Sequence, residues 1–405
     1  MDFGLTQEQR DIQRMCREFA EKEIEPYVRE HLDVEWEGTP EERFPAEVYE
    51  VADEVGLRVI GVPSEYGGDD WHPDVVTEVL MVEELAAGDH GIASAMHVNW
   101  KLCNLLRQYP EHLQAEWFPR IVEDPTFMMT HCLTEPKGAS DRWLPYNEPD
   151  GNMNTVAEKD GDEWVIDGTK QFVTNSYEAN LYFVYANTDP SKGMLDGTSG
   201  PFLVPGDTPG VTVARENQTI GHRFNSNSEF HFDDVRVPED HLLIRDTALR
   251  DVGQYFRGGR VKVAAGILGT ARAASEAGLE YAQDRVQGGK PIVEHQMIQR
   301  RIAEMATQLE TARTIVWRAA EAADAGRDDA NELAIIAKLF AADACMEIAQ
   351  HCVEIHGGAG SMRPQGVERL MRDAVTNLHL HGTQDVHQIK LVNAIVGEGD
   401  PGTHA

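Results

Sequence analysis

The 405-residue chain has no apolar run of the roughly 20 residues that a membrane-spanning helix needs. Its start, MDFGLTQEQR, lacks the basic and apolar segments of a secretory leader. Cysteine is scarce. Cys16, Cys103, Cys132, Cys345 and Cys352 are scattered and odd in number, and no two form a CxxC pair. That spacing argues against a disulfide framework and a structural zinc site, and leaves plain buried thiols. There is no P-loop, no HExxH and no GxGxxG after a strand-like run, so a Rossmann nucleotide site is not indicated. Positive charge is also short: 36 Lys plus Arg stand against 69 Asp plus Glu, a net charge of −33. The acid is spread along the chain and not gathered in a tail. Such a surface repels nucleic acid and anionic membranes. It suits a protein that stays hydrated in concentrated salt. The expectation is a soluble, cytoplasmic protein of halophilic source, without nucleic-acid or membrane partners.

What is present falls into three stretches, in the order α, β, α. Residues 1–125 read as helical. Thr6 with Gln9 forms a capping-box pattern, Ile12, Met15 and Phe19 follow at helical spacing, and Pro26 is expected to end the segment. FPAEVYEVADEVGL, PDVVTEVLMVEELAAG and ASAMHVNWKLCNLLRQY are further helical segments. Residues 126–245 read as strands punctuated by Gly and Pro, with Asp167-Gly168 as the expected hairpin turn of EWVIDGTKQFVTN. Residues 246–405 are helical again, with small residues on faces that allow close packing. The class is α+β, and the cleft between three such lobes suits a flat cofactor.

Four segments carry candidate chemistry. CLTEPKGASD, 132–141, closes a strand-like run in a turn, where Thr134 and Ser140 offer hydroxyls and Gly138 frees the backbone. A flavin's pyrimidine edge needs such groups, although a Thr-Glu-Pro turn by itself is only a turn. KQFVTNS, 170–176, puts Phe172 and Thr174 on one face of a strand, an aromatic beside a hydroxyl. DRVQGGKPIVEHQMIQ, 284–299, sets Arg285 before a Gly-Gly break and a new helix. An arginine there suits a pyrophosphate, or simply the end of a helix dipole. EIHGGAG, 354–360, is a glycine-rich break where backbone can approach a ligand closely.

Taken in order with FGLTQEQRDIQRMCREFAEKEIEP, FDDVRVP, GGRVKVAAGILGTAR and RLMRDA, these segments resemble the acyl-CoA dehydrogenase family over nearly the whole chain. The final segment, GTQDVHQIKLVNAIVG, is most similar to the glutaryl-CoA branch. The resemblance implies an N-terminal helical domain, a middle β-barrel or sandwich domain and a C-terminal four-helix bundle. It implies FAD, an acyl-CoA substrate from fatty acid or amino acid catabolism, and an electron-transfer flavoprotein as electron acceptor. It also implies a homotetramer whose neighbouring subunit helps complete each FAD site. By position, Leu133, Thr134 and Ser140 would line the flavin and the substrate thioester, and Phe172 and Thr174 would sit against the isoalloxazine ring. Arg285, Gln287, His295 and Gln296 would meet the FAD phosphates and adenosine from the adjacent chain. Glu354, Gly358, Thr383 and Asp385 would make the remaining FAD contacts, and Arg260 and Gly382 would lie near the substrate.

The chain departs from the family at its base. Most relatives read Glu-Gly-Thr where this chain reads His381-Gly382-Thr383, and in them that glutamate takes the substrate's α-proton. In some branches the base is the residue before the arginine of GGR, which here is Gly259. Both positions therefore lack a carboxylate. In one reading His381 is the base, since an imidazole with an ordinary pKa of about 6.5 accepts protons at neutral pH. The family's thioester donors, a flavin ribityl hydroxyl and the backbone N–H of residue 381, survive a side-chain change. In a second reading the protein is a flavin monooxygenase of the same fold, with His97 facing the flavin opposite His381. In a third it binds flavin and acyl-CoA without dehydrogenating. A metal site from His379, His381 and His387 is disfavoured for want of a carboxylate or cysteine partner at matching spacing. The glutaryl branch's arginine for a distal carboxylate is matched by Ala93, which disfavours a dicarboxylyl-CoA. Gly288 replaces an aromatic expected beside the FAD. Trp143 and Tyr146, in a long segment 142–154, are expected to cover the mouth of the CoA channel.

Overall fold

The computed structural model describes residues 4–138, 147–251 and 258–396. The first region contributes helices α1 (Gln7–Phe19), α2 (Ala46–Glu54), α3 (Val75–Gly88), α4 (His90–Leu106) and α5 (Glu111–Glu123), with shorter helical turns between α1 and α2. Thr6 and Gln9 make the reciprocal capping box that starts α1. Pro26 does not end the run. A π-helical turn at Ala20–Ile24 hands over to a helix at Glu25–Glu30, which places Pro26 in a first turn, where its missing N–H is tolerated.

Strands β1 (Met128–Cys132), β2 (Val156–Asp160), β3 (Glu163–Thr174), β4 (Ala179–Asn187), β5 (Thr198–Pro205), β6 (Val211–Glu216), β7 (Asn227–Pro238) and β8 (Leu242–Ile244) form one sheet, ordered β6-β7-β3-β2-β4-β5-β8. β1 joins it by parallel pairing with β4. The sheet folds over its own apolar core, where Trp164 meets Phe202 and Tyr182 meets Phe230 edge to face. β4 is buried on both sides. Tyr182, Val184 and Ala186 face that core, while Leu181, Phe183 and Tyr185 pack on α4 and α5. Asp167-Gly168 is not a turn: β3 runs through it with a bulge against β7. Gly168 is there for close approach, since a Cβ would stand 2.5 Å from Thr155 Cα. The turn lies one strand boundary earlier, at Gly161-Asp162, where Gly161 takes φ +64°.

The last region is built on α6 (Gly259–Asp284), α7 (Gln296–Asp324) and α8 (Ala330–His356), followed by α9 (Val367–Asn377) and α10 (Gln384–Val396). A small hairpin, β9 (Val286–Gln287) and β10 (Lys290–Pro291), links α6 to α7. The two helical regions are not separate cores. Leu85 and Ala86 of α3 share one apolar cluster with Ile267, Leu268 and Ala271 of α6. Gly269 lets the helices touch, because a Cβ there would stand 2.5 Å from the Glu83 carbonyl oxygen. Polar bonds tie all three regions together. Arg369 pairs with Asp89 at 2.6 Å, the His222 amide donates to Asp373 at 2.7 Å, and His90 stacks on His222. Among the described residues no helix is long and apolar enough to cross a membrane.

Candidate active site

His381 stands in the turn between α9 and α10, and the turn is held from below. Lys338, fully buried in α8, donates from Nζ to the carbonyls of Leu378 (3.1 Å) and Gly382 (3.2 Å) and to Gln384 Oε1 (2.7 Å). Gln384 donates in turn to the Leu339 carbonyl and to Asp343. Thr383 Oγ1 accepts the Val386 amide at the start of α10. These bonds keep His381 at φ +51° and Gly382 at φ +112°. The first is left-handed backbone, which costs a residue with a Cβ about 1–2 kcal/mol. Burial pushes the Lys338 ammonium down to about 8, with Asp343 opposing. Neither Lys338 nor Gln384 was picked out from sequence; the signal was a lone lysine in the apolar run ELAIIAKLFAADA.

The side chain of His381 is exposed, and it bears electrostatically on two buried imidazoles. His97 on α4 is held well below the ordinary histidine range by burial and by Lys262, Lys101 and His381. His387 on α10 is pushed down to about 2 by burial and by Lys338, Arg260, Lys390 and His381. Both are neutral at physiological pH. In a chain of net charge −33, both imidazoles sit among cations: Lys262 and Lys101 act on His97, and Lys338, Arg260 and Lys390 act on His387. Arg260 is buried in the first turn of α6, with Nη1 2.5 Å from Asn331 Oδ1. Gly259, the second family base position, opens that helix without a side chain.

The structure also sets a buried carboxylate beside His97. Glu78, one turn into α3, is buried, with Oε2 2.7 Å from Lys262 Nζ and 3.8 Å from His97 Nε2. Sequence reading passed over it as part of a helix face; the signal was an acidic residue inside the apolar run VVTEVLM.

The turn after β1 is pinned by an ion pair that was also missed. Lys170 Nζ lies 2.8 Å from Glu135 Oε1, with both side chains buried, and it donates to the Leu133 carbonyl as well. Glu135 accepts the amides of Asn154 and Thr155, and the Thr134 carbonyl accepts the Gln171 amide. Leu133 and Thr134 are thereby placed beside the end of β3. There a bulge puts Phe172 at φ +58° and 60 % exposed, an aromatic face turned outward next to half-buried Thr174. Asn175 then ties this edge to α4 through the Ala95 carbonyl. Ser140, Trp143 and Tyr146 lie outside the described residues.

The remaining candidates gather at the opposite end of the bundle. Arg285 and Gln287 are exposed at the end of α6, and His295 Nε2 donates to the Gln287 carbonyl at 3.0 Å where α7 begins with Gln296. Glu354, at the end of α8, pairs with Arg301 of α7, and Tyr281 stacks on His356. A side chain added at Gly358 would meet nothing, so this backbone is open to a ligand. Glu354 stands sixteen residues along α8 from Lys338, about 24 Å at the helix rise of about 1.5 Å per residue. Within one chain, Glu354 and Gly358 are thus far from the turn of His381, Thr383 and Asp385.

Three family models account for nearly the whole chain: the N-terminal domain of acyl-CoA dehydrogenases over residues 6–124, the middle domain over 130–235 and the C-terminal domain over 249–396. The chain belongs to the acyl-CoA dehydrogenase family. It is 34 % identical to a probable acyl-CoA dehydrogenase, YngJ, of Bacillus subtilis, across 98 % of this chain and all of that one. Butyryl-CoA dehydrogenase from Megasphaera elsdenii superposes with a TM-score of 0.86 at 31 % identity, over 98 % of this chain and all of that one. A chain solved with the electron transferring flavoprotein of Acidaminococcus fermentans as its subject gives 0.85 at 32 % identity, again over 98 % and 100 %. Acyl-CoA dehydrogenases are FAD-dependent oxidoreductases of CH–CH donors, and this chain's residues fit that cofactor. Phe172 offers an unclaimed aromatic face, the 133–134 backbone is pinned beside it, and the glycines after α8 leave open backbone.

Proposed function

We propose that this protein is an acyl-CoA dehydrogenase in which His381 takes the α-proton of an acyl-CoA thioester. The observation that carries the reading is the turn at 378–383, which Lys338 anchors on both sides of His381. His381 accepts the proton, Lys338 orients it, and the backbone N–H of residue 381 favours charge on the thioester oxygen. FAD, when bound, supplies the acceptor for the β-hydrogen and its electron pair, and an electron-transfer flavoprotein is the onward acceptor. Leu133, Thr134, Ser140, Phe172, Thr174, Thr383 and Asp385 hold the flavin end. Arg285, Gln287, His295, Gln296, Glu354 and Gly358 hold phosphate and adenosine, with the neighbouring subunit of a homotetramer completing the site. We place the chain beside the glutaryl-CoA branch on its last segment, without a dicarboxylate preference, since Ala93 is buried and uncharged. The acidic surface supports a soluble cytoplasmic enzyme of a salt-rich cell.

The test is an anaerobic titration of the protein, in high salt, with a panel of acyl-CoAs, following flavin absorbance. One acyl-CoA should bleach the flavin, and His381→Ala should slow bleaching at least ~100-fold while FAD stays bound. A bound flavin that no acyl-CoA reduces sinks the reading. A second reading is a monooxygenase of this fold in which His97, buried on α4 and influenced electrostatically by His381, faces the flavin opposite it. It predicts oxygen consumption with a hydroxylated product and no bleaching by acyl-CoA alone.

A further inference from the structure

A cleft of about 620 Å3 opens between α1, α3, α6 and α7, away from every candidate site described above. Arg272 in its wall stands twelve residues along α6 from Arg260, about 18 Å at the helix rise. Arg313, also in its wall, stands seventeen residues along α7 from Gln296, about 26 Å. The wall mixes both charges. Arg17 donates to Glu84 from Nε (3.0 Å) and Nη2 (2.7 Å), and Arg272 donates to the same carboxylate from Nη2 (2.6 Å). Arg313 donates to Glu83 Oε1 from Nε (3.1 Å) and Nη2 (2.8 Å). Glu83 and Glu84 are buried, whereas Glu276 and Glu310, which pair with Arg272 and Arg313, are 62 % and 69 % exposed. Ties between four helices account for these bonds, but not for what they leave over. Among the described residues, Glu83 Oε2, Arg272 Nε and Trp317 Nε1 are buried and make no hydrogen bond. A buried polar atom without a partner costs its full desolvation, most of all on a charged group. All three atoms belong to residues that line this one cleft.

We propose that this cleft binds a small zwitterion, an α-amino acid with an apolar side chain. Its carboxylate accepts from Arg272 and Trp317, its ammonium donates to Glu83, and its side chain packs on Leu309 and the Trp317 ring, which also line the cleft. Charge decides between a zwitterion and a simple ion. Three arginines, Arg17, Arg272 and Arg313, meet four carboxylates, Glu83, Glu84, Glu276 and Glu310, an excess of one negative charge. A simple carboxylate is opposed by that excess and by the −33 of the whole chain. A simple amine leaves the guanidinium and indole donors without an acceptor. A molecule with both charges on one carbon gives each a charge-assisted partner. Entry needs only the outer pairs to yield. Exposed ion pairs are weak, so the incoming carboxylate takes Arg272 from Glu276 while the buried pairs to Glu83 and Glu84 keep the guanidiniums in place. The volume lies in the range of small-molecule pockets, about 300–1,000 Å3.

The experiment is isothermal titration calorimetry of the holoprotein with leucine, methionine and phenylalanine, which needs neither acyl-CoA nor flavin reduction. At least one should bind with a Kd below about 1 mM. Isopentylamine and isocaproate keep leucine's side chain with one charge each, and should bind at least ~10-fold more weakly than leucine. Arg272→Met should weaken amino-acid binding at least ~10-fold. Thr314→Trp, at an exposed position on the same wall, fills the cleft without touching an ion pair and should abolish binding while FAD content stays parental. If Arg272→Met does not fold, Thr314→Trp decides alone. Failure of all three amino acids to bind with a Kd below about 10 mM overturns the proposal and leaves a water-filled cleft. An amine or acid that binds as tightly as leucine overturns the zwitterion, and binding that survives Thr314→Trp overturns the site.

Discussion

Replacing Lys338 by methionine separates what this ammonium does for the fold from what it does for the site. Burial lowers it from 10.5 to about 8. At pH 7 that depression costs on the order of 3 kcal/mol, because the unfolded chain holds the proton more tightly. Removing the ammonium relieves this cost but strands the carbonyls of Leu378 and Gly382, at about 1–3 kcal/mol each. Gln384 is only half-buried and can turn to water. The two effects nearly cancel, so global stability at pH 7 should change by less than about 2 kcal/mol. The turn gains no such compensation. His381 is left-handed, and the bonds that hold it there flank it at residues 378 and 382. Displacement of the base by about 1 Å is enough to lower α-hydrogen exchange roughly 100-fold. The linkage has a definite sign. The stability cost of a depressed lysine is fully present below pH 8 and disappears as pH rises to 10.5. The parent should therefore gain stability over the variant across that window, by on the order of 3 kcal/mol. Urea denaturation at pH 7, 8, 9 and 10 measures the difference curve, and exchange measures the site. A variant that exchanges at the parental rate would refute the anchoring role, and a flat difference curve would refute the buried charge.

Glu135→Gln leaves Lys170 buried without its carboxylate and should cost about 3–5 kcal/mol, while a joint Glu135→Gln and Lys170→Met change should cost less; thermal denaturation and FAD content report both. Phe172→Ala should barely change apoprotein stability, since the ring is 60 % exposed, but should weaken FAD binding roughly fivefold by loss of a stacking face of about 1 kcal/mol; apoprotein titration with FAD measures it, and unchanged affinity would move the flavin elsewhere. With a net charge of −33, the protein should gain stability on raising KCl from 0.1 M to about 2 M as self-repulsion is screened; a protein most stable in dilute buffer contradicts the salt-adapted reading.

Local rules carried the helices far. The capping box at Thr6 and the apolar periodicity of α3, α4 and α6 to α8 act over one or two turns, so the sequence contains them whole. Ordered motifs carried the family and its cofactor. Two local signals misled because longer-range packing outweighed them. Asp167-Gly168 has turn chemistry, yet pairing with β7 and the approach of Thr155 keep the strand running. Pro26 has breaker chemistry, yet a π turn realigns the helix around it. The sequence by itself also determined that no carboxylate stands at position 381 or 259, since that is a matter of residue identity. It could not say what surrounds His381. Lys338 is 43 residues away, and only the packing of α8 under the turn brings its ammonium to the carbonyls of Leu378 and Gly382, while α3 and α4 set Glu78 3.8 Å from His97. Burial then sets their charge states, by removing water that no stretch of sequence can report.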